Sequence, residues 1–214
     1  MIVRNLGRLG VPVACSGYVD CIAYASRYCG DRYEIPPDQE AAAFWHQLLL
    51  APGTSALEGC VIFALDDGAV EFTARNHGEL SRRYKLEAAD PALRLMALDK
   101  METLAVARKA GVGAPDYWPV SAPEDLAAIR DEVRFPAMVK PVHTHLFQPV
   151  MGCKLFIIKD SWEELEEKAR LSLEHGLEIM VVEMIPGPDS LLSSYYTYID
   201  GSGRSLFHYT KSIV

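Results

Sequence analysis

Lys140 closes the apolar run FPAMVKP (residues 135–141), and the proline after it stops a strand. An ammonium group at the inner end of a strand otherwise fit for burial is costly unless it is paired or reaches water. Either the stem is buried and the head snorkels to solvent, or the charge awaits an anion from outside the chain. Three other features could serve the same anion. Lys100 follows Asp99 in ALDKMETLA, at a helix start. VVEMIPGPDS (181–190) carries Glu183, Met184 and Ile185 out of an apolar run into a Pro-Gly linker with Asp189. Lys211 lies in the terminal HYTKSIV. Taken singly, each reads as a solvated lysine or a plain turn. As a set they suit a nucleotide: cations neutralise a polyphosphate, strand-to-linker backbone pairs with an adenine edge, and a carboxylate accepts ribose hydroxyls.

Composition narrows the partners. The 214 residues, half of them hydrophobic, suffice for one large or two small domains with a real core. A formal net charge of -8, without clustered Lys and Arg, argues against a nucleic-acid partner. No apolar run reaches the roughly 18 residues of a membrane helix, and MIVRNLGRLG lacks the shape of a signal peptide. A soluble, cytoplasmic protein without a membrane partner is expected. Cys15, Cys21, Cys29, Cys60 and Cys153 are odd in number and form no C-x-x-C pair, which predicts buried free thiols rather than a disulfide framework or a zinc knuckle. His143 and His145 in VHTH, without Cys or carboxylates beside them, are a weak metal signal.

Two differently patterned regions must position these residues, joined by a third. Over residues 1–90, VPVAC (11–15), YEIP (33–36) and GCVIFALD (59–66) read as strands. DCIAYASRYC (20–29) and QEAAAFWHQLLL (39–50) read as helices. Such alternation implies a parallel sheet with helices on its faces. The chain opens on a helix, VRNLGRLG, so the first strand of that sheet is expected to be cut away. Residues 91–134 form a helical linker region, with Asp99 as an N-cap, Gly111 as a helix stop, and Ser121 with Glu124 as a capping box. Residues 135–214 give strands at 135–140, 154–158 and 178–185, a helix at 161–175, and a hairpin around GSG. That order predicts an antiparallel α+β unit. Its last strand runs to Val214 with no closing element, so the C-terminus is also expected to be cut.

ALDKMETLAVARKAGVGAPDYWPV, FPAMVKP and VVEMIPGPDS, in this order and spacing, resemble the ATP-grasp ligases, particularly their carboxylate-amine ligase and carbamoyl phosphate synthase-like branch. LGRLGVPVACSG with ASRYC is similar to the domain that precedes ATP-grasp in that branch. The resemblance covers nearly the whole chain, and it rests on the order of the motifs rather than on any single one. It implies an α/β fold: a Rossmann-like pre-ATP-grasp domain with a parallel sheet, followed by an incomplete α+β ATP-grasp subdomain. It implies an enzyme that uses ATP and Mg²⁺ to turn a carboxylate into an acylphosphate, which an amine then attacks.

By that resemblance Lys140 contacts the α-phosphate and Lys100 the β-phosphate side. Glu183, Met184 and Ile185 form the hinge that holds adenine, with the base-pairing donor at Ile185 because Pro186 has no N–H. Asp189 takes the ribose, and Lys211 approaches the triphosphate. The partners implied are ATP and a small carboxylate and amine, with homodimerisation left open. Two departures stand out. Relatives carry a glycine-rich loop after the VK strand, where PVHTHLFQPVMGCK (141–154) offers only Gly152, with Lys154 as a substitute charge. The family's acidic Mg²⁺ ligands fall beyond Val214, so this chain alone is expected to be inactive.

Smaller features have competing readings. Arg27 in SRY reads as a carboxylate ligand or a surface ion pair, and Asp66 in LDDG as a ligand-edge residue or a helix N-cap. Against the ligase stand a non-catalytic nucleotide-binding or interaction module, and a sugar-nucleotide transferase, for which residues 1–90 lack a glycine-rich turn.

Overall fold

The structure is a computed structural model that describes residues 1–53 and 55–212, without the side chains of Ser55 and Asp189. It divides into two compact units, Met1–Glu87 and Ala88–Val214.

In the first unit, helix α1 (Ile2–Arg8) leads to strand β1 (Cys15–Gly17), which pairs in parallel with β2 (Arg32–Glu34). Helix α2 (Ala41–Leu50), helix α3 (Asp67–Arg75) and the short α4 (His77–Leu80) complete it. Leu50, Phe72, Leu80 and Tyr84 form its core, with Trp45 tilted against Phe72 at 5.7 Å between ring centres. The Tyr84 hydroxyl donates to the Leu49 carbonyl at 2.9 Å. The expected parallel pairing is present but small.

Three local expectations fail here. The strand begins at Cys15 rather than Val11. Residues 20–29 form no α-helix, only a 3₁₀ turn at Ile22–Ala25. The reason is Tyr24, whose hydroxyl donates to the carbonyls of Gly17 at 2.8 Å and Tyr33 at 3.1 Å, pinning the segment to both strands. Residues 59–66 are not a buried strand. Val61 makes one isolated parallel bridge to Lys85, and Val61, Phe63 and Leu65 are exposed while Ile62 turns toward the core. The apolar run hides a period of two, with one face turned outward.

In the second unit, helices α5 (Pro91–Leu98) and α6 (Lys100–Lys109) precede strand β3 (Tyr117–Val120) and helix α7 (Pro123–Ile129). Strand β4 (Ala137–Pro141), helix α8 (Thr144–Met151), strand β5 (Phe156–Ile158), helix α9 (Trp162–Glu174) and strand β6 (Ile179–Glu183) follow. The sheet order is β3-β6-β4-β5, antiparallel throughout. Helices α7 and α9 cover one face, where Val139, Ile158, Leu165, Ala169 and Val181 meet. Alternation along β4 buries Ala137 and Val139 in that core and turns Met138 and Lys140 to the opposite face. After a 3₁₀ turn at Asp189–Leu191, strands β7 (Ser193–Ile199) and β8 (Ser205–Ser212) make an antiparallel hairpin.

Two corrections apply in this unit. The capping box sits one residue later than expected. Asp125, not Glu124, accepts the amides of Ser121 at 2.8 Å and Ala122 at 2.9 Å, with Pro123 at the first helical position. Where the resemblance implied a glycine-rich loop over 141–154, residues 144–151 form α8 despite Pro149, and Gly152 ends it at φ +69. Phe147, fully buried, anchors α8 in the core, and that burial outweighs the lost helical hydrogen bond.

Candidate functional site

Helix α6 starts at Lys100 because the Asp99 carboxylate accepts the amides of Met101 at 2.8 Å and Glu102 at 3.1 Å. From that start the Lys100 ammonium donates to the Val142 carbonyl at 2.8 Å. Val142 is buried, and its own amide donates to the Glu178 carbonyl at 3.0 Å. The bond brings the Lys100 charge to the residue just past β4, two positions beyond Lys140. Lys140 is half-buried and lies directly across from Met180 of the central strand. Among the described residues its ammonium has no hydrogen bond or ion pair. A partly buried cation without a partner among the described residues is placed to meet an anion from outside the chain.

Glu183 ends β6 at the far end of the same sheet, opposite Ala137. Its amide donates to the Asp116 carbonyl at 2.8 Å, and its Oε2 accepts the Asp116 amide at 3.1 Å. The carboxylate therefore closes the β3–β6 ladder. The Met184 amide turns to the other side and donates to the Pro136 carbonyl at 3.3 Å. At Ile185 the ladder is finished: its side chain is exposed, and among the described residues its N–H has no backbone partner. Lys140 and Glu183 sit three residues apart along the ladder, roughly 10 Å. Asp189 starts the 3₁₀ turn, but its side chain lies outside the described residues.

Lys211 lies on exposed β8, opposite Ser194. Its strand face continues through Tyr209, stacked on Tyr196 at 4.8 Å, and Phe207, stacked on Tyr198 at 6.3 Å. Lys211 lies on a different sheet from Lys140, next to whose strand the Lys100 ammonium sits. Lys154 is exposed. His143 faces Glu178 at 3.9 Å, with the His145 ring 5.9 Å away, and the described residues contain no cluster of three metal-ligating side chains.

The sequence reading missed a polar cleft of about 520 Å³ beside Glu183. Arg108 donates to Asp116 at 3.0 Å and lies over the Tyr117 ring at 4.5 Å, while Trp118 Nε1 donates to Glu132 at 2.7 Å. Arg134 also lines it. No periodic pattern links these residues; β3 and the α7–β4 connection bring them together. In the first unit, Asp66 caps α3 through the Ala69 amide at 2.8 Å, and Arg27 donates to the Tyr28 hydroxyl at 2.7 Å. That guanidinium lowers the Tyr28 phenol below its ordinary pKa.

The five cysteines are free, and none is fully buried: Cys60 is exposed and the other four are half-buried. The expected buried thiols are thus corrected to accessible ones. Cys15 is pushed up to about 12, by burial first and by the neighbouring Cys29 second.

No family model matches the chain, and no curated protein sequence does either. Solved structures do match it. An L-amino acid ligase from Bacillus licheniformis aligns with 99% of this chain at 18% identity and a TM-score of 0.64. N5-carboxyaminoimidazole ribonucleotide synthetase from Thermus thermophilus aligns with 97% at 19% identity and a TM-score of 0.61. The Staphylococcus aureus N5-carboxyaminoimidazole synthetase, complexed with ADP, aligns with 96% at 14% identity and a TM-score of 0.61. The chain spans about half the length of each: 47%, 49% and 49%. Over nearly its whole length, this chain shares the fold of that half of these solved ligase and synthetase structures.

Proposed function

We propose that this chain is the ATP-binding part of an ATP-grasp ligase that activates a small carboxylate as an acylphosphate for attack by an amine. The observation that carries the reading is Lys140, a half-buried cation on the sheet face away from α7 and α9, without a protein partner among the described residues. A phosphate supplies what such a charge lacks. Lys100 would add a second cation at the same strand end, held there by the Val142 carbonyl. The finished ladder at Ile185 would offer its N–H to adenine, with Asp189 near the ribose and Lys211 toward the outer phosphates. Glu183, already bonded to Asp116, would shape the hinge rather than bind through its carboxylate.

ATP, when bound, supplies the phosphoryl group that makes the carboxylate electrophilic. This chain's own contribution would be to orient the phosphates and neutralise their charge. For Mg²⁺ the described residues supply no ligand cluster, so no step is assigned to it. Titration calorimetry with ATP and with ADP, in the presence of Mg²⁺, tests the reading. Binding that weakens tenfold or more in Lys140→Ala supports it. Equal affinity in the variant would remove Lys140 from the site.

A further inference from the structure

Strand β3 is the outer strand of the second unit's sheet, with β6 between it and the strand of Lys140. Along β3 opens the polar cleft of about 520 Å³, a size that suits a small-molecule ligand. Several of its polar groups already answer one another. The Arg108 guanidinium donates to Asp116 at 3.0 Å and covers the Tyr117 ring. Trp118 Nε1 donates to Glu132 Oε2 at 2.7 Å, and the Asp116 amide donates to Glu183 Oε2 at 3.1 Å. Among the described residues Oε1 of each glutamate has no hydrogen bond, although an ionised carboxylate accepts at both oxygens. Two charges in the cleft are wholly uncommitted. Among the described residues neither Asp131 nor Arg134 has a hydrogen bond, an ion pair or a ring contact, and they do not pair with each other across three positions of sequence. Arg108 and Arg134 line the cleft against the carboxylates of Asp116, Asp131, Glu132 and Glu183, which leaves two negative charges in excess.

We propose that this cleft binds a basic α-amino acid, with its carboxylate on Arg134, its α-ammonium on Asp131 and its side-chain cation on the open Oε1 of Glu132. The charges select that class. A simple anion would satisfy Arg134 but meet the surplus of carboxylates, and a simple amine would leave Arg134 facing added positive charge. Two cations and one carboxylate on one small molecule answer both the uncommitted pair and the surplus. Asp131 and Arg134 are exposed, so solvent competes and each ion pair contributes modestly. The Trp118 indole, bonded to Glu132, senses a cation that arrives on that carboxylate. Trp118 packs on the helix-covered face of the sheet and Lys140 is turned to the opposite one, so occupancy of the cleft does not depend on a nucleotide.

The test titrates L-lysine into the full, isotope-labelled chain and follows the tryptophan indole N–H signals by NMR, with Trp118 assigned through Trp118→Phe. The same titration is run with cadaverine, which is L-lysine without its carboxylate. L-lysine should move the Trp118 signal saturably while Trp45, in the first unit, stays in place. Cadaverine should bind about fivefold more weakly, the upper worth of an exposed ion pair. Arg134→Gln should abolish that difference, because only the carboxylate meets Arg134. Asp131→Asn should weaken both ligands and keep the preference for L-lysine. No saturable movement of Trp118 at millimolar concentration, equal binding of the two ligands, or a preference for L-lysine that survives in Arg134→Gln overturns the proposal.

Discussion

The ammonium of Lys100 donates to the carbonyl oxygen of Val142 at 2.8 Å, tying the first residue of α6 to the residue just past β4 across 42 positions of sequence. A hydrogen bond from a charged group contributes about 1.5–3 kcal/mol when well buried, and about 1 kcal/mol where solvent competes. Lys100→Met keeps the stem and removes the donor. Its unfolding free energy in urea is expected to fall by about 1 kcal/mol. ADP affinity should fall with it if the same ammonium serves the phosphates.

Lys140 makes the opposite prediction for stability. It has no protein partner among the described residues, so Lys140→Met should change the unfolding free energy in urea by no more than about 0.5 kcal/mol. A loss of nucleotide binding without loss of stability separates a ligand contact from a structural one. A strongly destabilised variant would instead reveal a structural role for the charge.

Asp99 sets where α6 begins and therefore where Lys100 points. It accepts two helix amides, and loss of such a cap costs about 1 kcal/mol. Asp99→Ala should show that loss in urea, and its ADP affinity should drop in parallel as Lys100 loses its fixed origin. Asp66→Ala removes a comparable cap from α3 and serves as the control that leaves ADP binding unchanged.

Asp125 gives a pH signature. The Ser121 and Ala122 amides stabilise its carboxylate and lower its pKa below the usual value. A depressed folded pKa means that the stabilisation is present above the unfolded pKa of about 4 and is lost as pH falls through the folded value. The stability gap between the native chain and Asp125→Ala, read by thermal unfolding, should be constant from about pH 8 to 5 and narrow below about pH 4.

Long periodic segments were legible because burial and propensity agree in them. Helix α9 has Ser161 as its cap, with the Ser161 hydroxyl accepting the Glu164 amide at 3.2 Å, and places Leu165, Ala169 and Ser172 on one buried face. Strands β4 and β6 and the hairpin lie where their apolar runs and turn residues indicate. Segments failed where a single long-range contact outweighed local preference. Tyr24 holds residues 20–29 out of a helix, and Phe147 pulls residues 144–151 into one.

The residues proposed for the site divide in the same way. Asp99, Lys100, Lys140 and the Glu183–Ile185 exit could be named from local chemistry, because a cap, a strand-end charge and a Pro-Gly stop are properties of a few adjacent residues. Their partners could not. That Val142 engages Lys100, that Asp116 occupies Glu183, and that Lys140 has no partner among the described residues depend on strand order and register. Those follow from how the whole apolar surface is buried at once, and no short stretch of sequence contains that information.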